Sequence, residues 1–175
     1  MAANTYTLIS SNVLASSAAS VTFSSIPATY TDLVLRISAR TDSASQAVST
    51  LRIRVNADTT TNYSDTYLYS IGTVGSARQT STASDKIIGV SAALATASTF
   101  SSTEIYIPSY TSTSSKPFSH YSVAENNSAT TGDYQLETAA HLYRGTAGVT
   151  EIEISGVTVN LVTGSSFYLY GIKNS

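Results

Sequence analysis

Two histidines, His120 and His141, are the only imidazoles in the chain and the first residues to test for acid–base or metal chemistry. Metal sites set their ligands at short, recurring spacings, and neither histidine has a partner at such a spacing. His120 stands beside Tyr121 and His141 before Leu142, each inside an alternating stretch. Both therefore read as strand residues, and no metal ligand is expected. A Ser-His-Asp triad needs its nucleophile held on a sharp turn, and no Gly-x-Ser-x-Gly is present. Ser and Thr make up about a third of the chain, so a chance Ser, His and Asp set carries no weight. No catalytic residue and no cofactor are expected, and the chain reads as non-enzymatic.

Oxygen ligands are denser between Asn56 and Asp65, where Asn56, Asp58, Asn62 and Asp65 fall in one run with three threonines. An EF-hand loop with its distal Glu is absent, and a hydrogen-bonded Asx turn accounts for the same residues. Glu151 and Glu153 are paired carboxylates, but successive outward positions on one strand set them side by side. A glycosidase needs two carboxylates facing each other across a cleft. Arg52 and Arg54 form an outward doublet of opposite sign, so pairing with Glu151 and Glu153 is expected, within a sheet or between subunits.

Tyrosine is the remaining chemistry-bearing type, at 12 residues against 4 Phe. A tyrosine carries a large apolar ring and a polar tip, which suits interfaces and sugar stacking as well as core packing. Tyr110 and Tyr134, at loop edges, are candidate ligand contacts. Tyr168 and Tyr170 are candidate subunit contacts.

Composition narrows the partners. Only 11% of residues are charged and the net charge is −2, which offers no basic patch for nucleic acid. Weak repulsion between copies favours self-association. No run approaches the roughly 18–20 apolar residues of a membrane span, and no secretory signal pattern opens the chain. Synthesis in the cytoplasm as a complete polypeptide is expected. With no cysteine, thiolate catalysis and disulfides are excluded.

The elements that must position these residues are strands. Residues 31–40 place Leu33, Leu35 and Ile37 on one face, and 51–55 and 151–159 repeat the alternation. Ser20–Phe23, Tyr67–Ile71, Lys86–Val90, Thr103–Ile107, Phe118–Ala124 and Gln135–Tyr143 add six more. With the C-terminal run, about ten short strands are expected. The segments 42–49, 72–84 and 126–133 read as long loops, and 92–98 as a helical turn or a loop of small side chains. Long connections between short strands favour a two-sheet sandwich. The N-terminal residues 1–19 read as an arm or a first strand, followed by a single domain over 20–175. In the closing strand Phe167, Leu169 and Gly171 share one face and Tyr168, Tyr170 and Ile172 the other. Such a strand is central in a sandwich or covered by a neighbouring subunit.

Three segments carry a resemblance: Val21–Leu35 (VTFSSIPATYTDLVL), Tyr106–Tyr110 (YIPSY) followed by Ala124–Asn127 (AENN), and Tyr168–Lys173 (YLYGIK). Together they resemble a group of small virion proteins of tailed bacteriophages, notably those infecting cyanobacteria and other aquatic bacteria. The resemblance implies a jelly-roll β-sandwich carried on the particle as a homotrimer. The expected role is capsid decoration, or cementing, with the major capsid protein or another virion protein as partner. The alternative is a receptor- or glycan-binding component of a tail or head fibre. Decoration is favoured because the chain shows no shaft, coiled coil or β-helical repeat to extend a fibre.

Overall fold

In the computed structural model, residues 5–173 are described, Ile88 by its backbone only. Eight strands form the larger sheet: β1 (Tyr6–Val13), β3 (Asp32–Ser38), β5 (Tyr63–Ser70), β6 (Val74–Thr82), β8 (Ser102–Ile107), β9 (Lys116–Ala124), β10 (Gln135–Tyr143) and β12 (Ser166–Ile172). Four form the smaller: β2 (Ser20–Phe23), β4 (Val48–Val55), β7 (Asp85–Ser91) and β11 (Ile152–Gly156). The spatial orders are β1-β12-β3-β8-β9-β10-β5-β6 and β2-β11-β4-β7, with every pairing antiparallel. The fold is the antiparallel β-sandwich that the alternation implies.

Twelve strands form where about ten are expected, for two reasons. Residues 6–13 form an edge strand on β12 of the same chain. Residues 74–82, read as part of a loop, form the opposite edge strand β6. β6 has no apolar alternation because the smaller sheet does not reach it, so none of its side chains is fully buried. Polar residues on an exposed edge also discourage pairing with other sheets. Among the described residues no helix occurs, and 92–98 form turns and bends.

The apolar core lies where β12, β3 and β8 face β2, β11 and β4. Leu33, Leu35, Ile105, Phe167 and Leu169 point inward from one sheet, and Leu51, Ile53, Ile152 and Ile154 answer from the other, all essentially fully buried. Each such side chain stabilises the fold by roughly 1.5–3 kcal/mol. Gly171 completes the inner row of β12. A Cβ there would lie 2.2 Å from Cγ of Tyr30, whose ring takes that space.

Beyond β8 the interior changes character. β7, the edge of the smaller sheet, packs over β9, β10 and β5. Here polar residues join the inward rows: His120 and Ser122 beside Phe118 on β9, Gln135, Glu137 and His141 beside Ala139 and Tyr143 on β10, and Asp65 beside Tyr63 on β5. The outward residues of the same strands include Tyr121, Leu136 and Leu68, each about half exposed. On these three strands polar groups are enclosed while several large apolar side chains face out.

Candidate functional site: a buried carboxylate–histidine chain

Register builds the site. On β10, Glu137, Ala139 and His141 occupy successive inward positions, and His120 of β9 lies opposite Ala139. The small Ala139 side chain leaves room for His120 to reach both diagonal neighbours. His120 Nδ1 is 2.7 Å from His141 Nε2, and His120 Nε2 is 3.0 Å from Glu137 Oε1. The second contact is close in distance but off the line of a hydrogen bond. Gln135 Nε2 donates to Glu137 Oε2 at 3.1 Å. Phe118 stacks on the His141 ring, with ring centroids 4.5 Å apart and planes 11° from parallel.

The other end of the chain is carboxylate. Asp65 of β5 lies directly opposite His141. Asp85 enters from β7 in the smaller sheet, its Oδ2 3.5 Å from His141 Nδ1. A bulge helps aim β7: Gly89, at φ +87°, is the extra residue between the pairs Ser49–Val90 and Thr50–Ile88. A left-handed φ of this kind suits glycine, and the bulge resets which residues face inward. Asp85, Ile87 and Val90 all reach the interior.

Electrostatics follow from burial. Removal from water pushes the Asp85 carboxyl up to about 8, with the charge of His120 pulling the other way. Asp65 is raised by burial and then by the negative charge of Asp85, against the opposing pull of His141 and Lys86. His141 is lowered to about 3, first by burial and then by the charge of His120. His141 is therefore neutral at pH 7, with one ring nitrogen donating and the other accepting. The arrangement can pass or hold a proton along a file from Asp85 to Glu137, or offer oxygens and one imidazole nitrogen to a cation. The ligand atoms of Asp65, Asp85 and His141 all lie within 4.8 Å of one another.

Of the residues singled out by the sequence, only the histidines and Asp65 of the Asn56–Asp65 run fall in this site, and Asp65 lies opposite His141 and not in the turn expected of that run. His120 and His141, read as unpartnered strand residues, touch each other, which corrects that reading. Arg54 pairs with Glu153 across β4 and β11, Nη1 to Oε1 at 3.4 Å. Arg52 instead lies opposite Ser155 and Lys86, and Glu151 precedes β11. The expected double pairing is therefore a single pair, because register sets only Arg54 opposite a glutamate. Tyr110 is fully buried and donates its hydroxyl to the Pro27 carbonyl, so it is corrected from ligand contact to core staple. Tyr134 is half-buried, near Gly72. Tyr168 and Tyr170 face outward from β12, half-buried, with Tyr6 edge-on to Tyr170 and Arg36 over both rings of that pair.

Asp58 forms the expected Asx turn. It accepts from Thr60 N at 2.8 Å, Thr60 Oγ1 at 2.6 Å and Asn62 Nδ2 at 2.8 Å. Asp85, Glu137 and Gln135 were not legible as site residues. Gln135 and Glu137 share the polar face of an alternating stretch, which ordinarily points to solvent.

No family model matches the chain, and no curated protein matches it. Among solved structures the chain is similar to one described as a crystal structure of scytalido-glutamic peptidase with a transition state analog inhibitor. The identity is 16%, covering 87% of this chain and 75% of that one, with a TM-score of 0.32. That neighbour is a peptidase, a finding that runs against the expectation of a non-enzymatic chain without assigning an activity to this one. At that TM-score the likeness carries nothing about substrate or mechanism.

Proposed function

We propose that this chain is a structural protein of a tailed-bacteriophage virion, seated on the capsid surface as a homotrimer. The observation that carries this reading is the uncovered outer face of the eight-stranded sheet. At one end Leu68, Val74, Tyr121 and Leu136 line an almost wholly apolar groove of about 300 Å³. At the other, Tyr6, Tyr168 and Tyr170 form an aromatic patch around Arg36, whose charge is paired with Glu104 at 3.0 Å. Contiguous apolar surface rimmed by polar residues is the usual mark of a protein–protein contact. Two unlike patches suit a head-to-tail ring, in which each copy offers one patch and receives the other, and the twist of a wide sheet turns its two ends relative to each other. The tyrosines and few charges make such a contact inexpensive to desolvate, and three weak capsid contacts act together through multivalency.

Sedimentation equilibrium of the purified chain, followed by cryo-EM of the particle that encodes it, tests the reading. A trimer in solution and threefold density on the capsid are expected. A monomer at high concentration, or copies confined to a fibre tip, would overturn it. Stacking of a glycan on Tyr110, the alternative the sequence raised, loses support because that ring is enclosed.

A further inference from the structure

We propose that Asp65, Asp85 and His141 form a buried site for one divalent first-row cation, zinc fitting best, that ties the two sheets together. Both carboxylate oxygens of Asp65, both of Asp85 and the Nδ1 of His141 are buried with no hydrogen-bond partner of good geometry. Native interiors contain few such atoms, and unpaired buried carboxylates are strongly destabilising. One such atom from each residue, brought in from β5, β7 and β10, lies within 4.8 Å of the other two.

The spacing is right for a small cation. The 3.5 Å between Asp85 Oδ2 and His141 Nδ1 is close to the edge of about 3.4 Å that bonds of about 2.0–2.1 Å impose on a tetrahedral site. The widest separation within the set is at most 4.8 Å, so only a small contraction closes it. Two carboxylates and one imidazole, without thiolate, suit zinc or manganese. Calcium and magnesium favour sites made of oxygen alone, with six or more ligands. Two carboxylates also balance the charge of a dication.

The residues behind the ligands have the order that such a site needs. With Nδ1 of His141 on the cation, its Nε2 carries the proton and donates to His120 Nδ1 at 2.7 Å. That places the His120 proton on Nε2, the atom that faces Glu137 Oε1 at 3.0 Å. Gln135 holds the far oxygen of the same carboxylate. A ligating histidine backed by a carboxylate is the usual outer layer of a metal centre, and here a second imidazole extends it. The ligand side chains of Asp85 and His141 are wholly enclosed. The ion is therefore taken up as the sheets close, its loading is coupled to folding, and with three ligand residues the fourth position falls to a second oxygen of Asp65 or Asp85 or to a water.

The full chain, stripped with EDTA and titrated with Zn²⁺ alone, tests this by metal analysis and scanning calorimetry. One equivalent per chain is expected. At a thousandfold excess over Kd, Tm should rise by about 8–16 °C. Asp65→Asn and Asp85→Asn should each abolish that rise. Glu137→Gln, which alters only a positioning residue, should keep the stoichiometry and weaken affinity about 10–100-fold. A stripped protein that neither binds Zn²⁺ or Mn²⁺ nor gains stability from them overturns the site. So does a Zn²⁺ response undiminished in Asp85→Asn. Should the Asn variants not fold, Co²⁺ loading of the natural chain decides: intense visible absorption supports the site and its absence refutes it. None of these readouts depends on trimer formation or on the particle.

Discussion

His120 and His141 meet nitrogen to nitrogen at 2.7 Å although neither lies directly opposite the other in the ladder. They are diagonal neighbours, and the residue that permits the contact is Ala139, directly across from His120. A larger side chain at 139 would enter the space His120 uses. Ala139→Leu should therefore destabilise the fold by about 1–3 kcal/mol and separate the two imidazole rings. Ala140→Leu, one residue along and facing solvent, should change stability by no more than about 0.5 kcal/mol. Denaturant melts and the imidazole nitrogen NMR signals of the two variants give the comparison.

Tyr63 joins the two sheets through its hydroxyl. Fully buried, it accepts from Val55 N–H at 2.9 Å and faces the carbonyls of Val55 and Asp58 at 3.2 Å. Tyr63→Phe leaves the Val55 N–H without this partner in the interior, while the Val55 carbonyl still accepts from Asp58 N–H at 3.0 Å. A loss of about 1–3 kcal/mol is expected, seen as a lower denaturation midpoint at unchanged m-value.

The Asp58 turn should register in the acid limb of the stability curve. Hydrogen bonds from the Thr60 side chain, then Asn62, hold its carboxyl down at about 2, below the usual 3.8. A depressed folded-state value means that its contribution is complete above pH 3.8 and is lost as pH falls through about 2. The stability difference between the natural chain and Asp58→Ala should thus shrink across that window. Because Asp58 lies at the surface, only partly covered, the effect should be small and further reduced by salt. A difference that stays constant from pH 5 to pH 2 would remove the proposed linkage.

Tyr170 offers the sharpest test of self-association. Its ring sits on the outer face with Tyr6 edge-on and Arg36 5.9 Å from the ring centroid. Tyr170→Asp puts a charge into the proposed contact while leaving the inner row of β12 untouched. The variant should run as a folded monomer in light scattering, with its circular dichroism unchanged. A trimer that survives the substitution would place the subunit contact elsewhere.

Much of the sandwich was legible because apolar alternation is a local property. Leu33, Leu35 and Ile37 declare an inward face wherever the strand ends up, and Phe167 with Leu169 does the same. β6 was not legible, since an uncovered edge strand needs no apolar face and Val74–Thr82 shows none. The site was hidden by a rule that is usually sound. Leu136, Thr138, Ala140 and Leu142 look like the buried face of β10, yet Gln135, Glu137 and His141 are the buried ones. Local patterning fails where an interior is built for polar groups.

The sequence by itself determined that the chain is a strand-rich sandwich, and that His120 and His141 lie on strands. It also determined that the closing strand has two apolar or aromatic faces. Only the tertiary structure decided that this strand lies between β1 and β3, with Phe167 and Leu169 in the core and Tyr168 and Tyr170 outside. It likewise decided that Ala139 falls opposite His120, that Asp65 falls opposite His141, and that Asp85 reaches them from the other sheet. The reason is physical. Alternation has a period of two and sets which residues share a face, whereas register and sheet stacking depend on contacts between segments far apart in the chain.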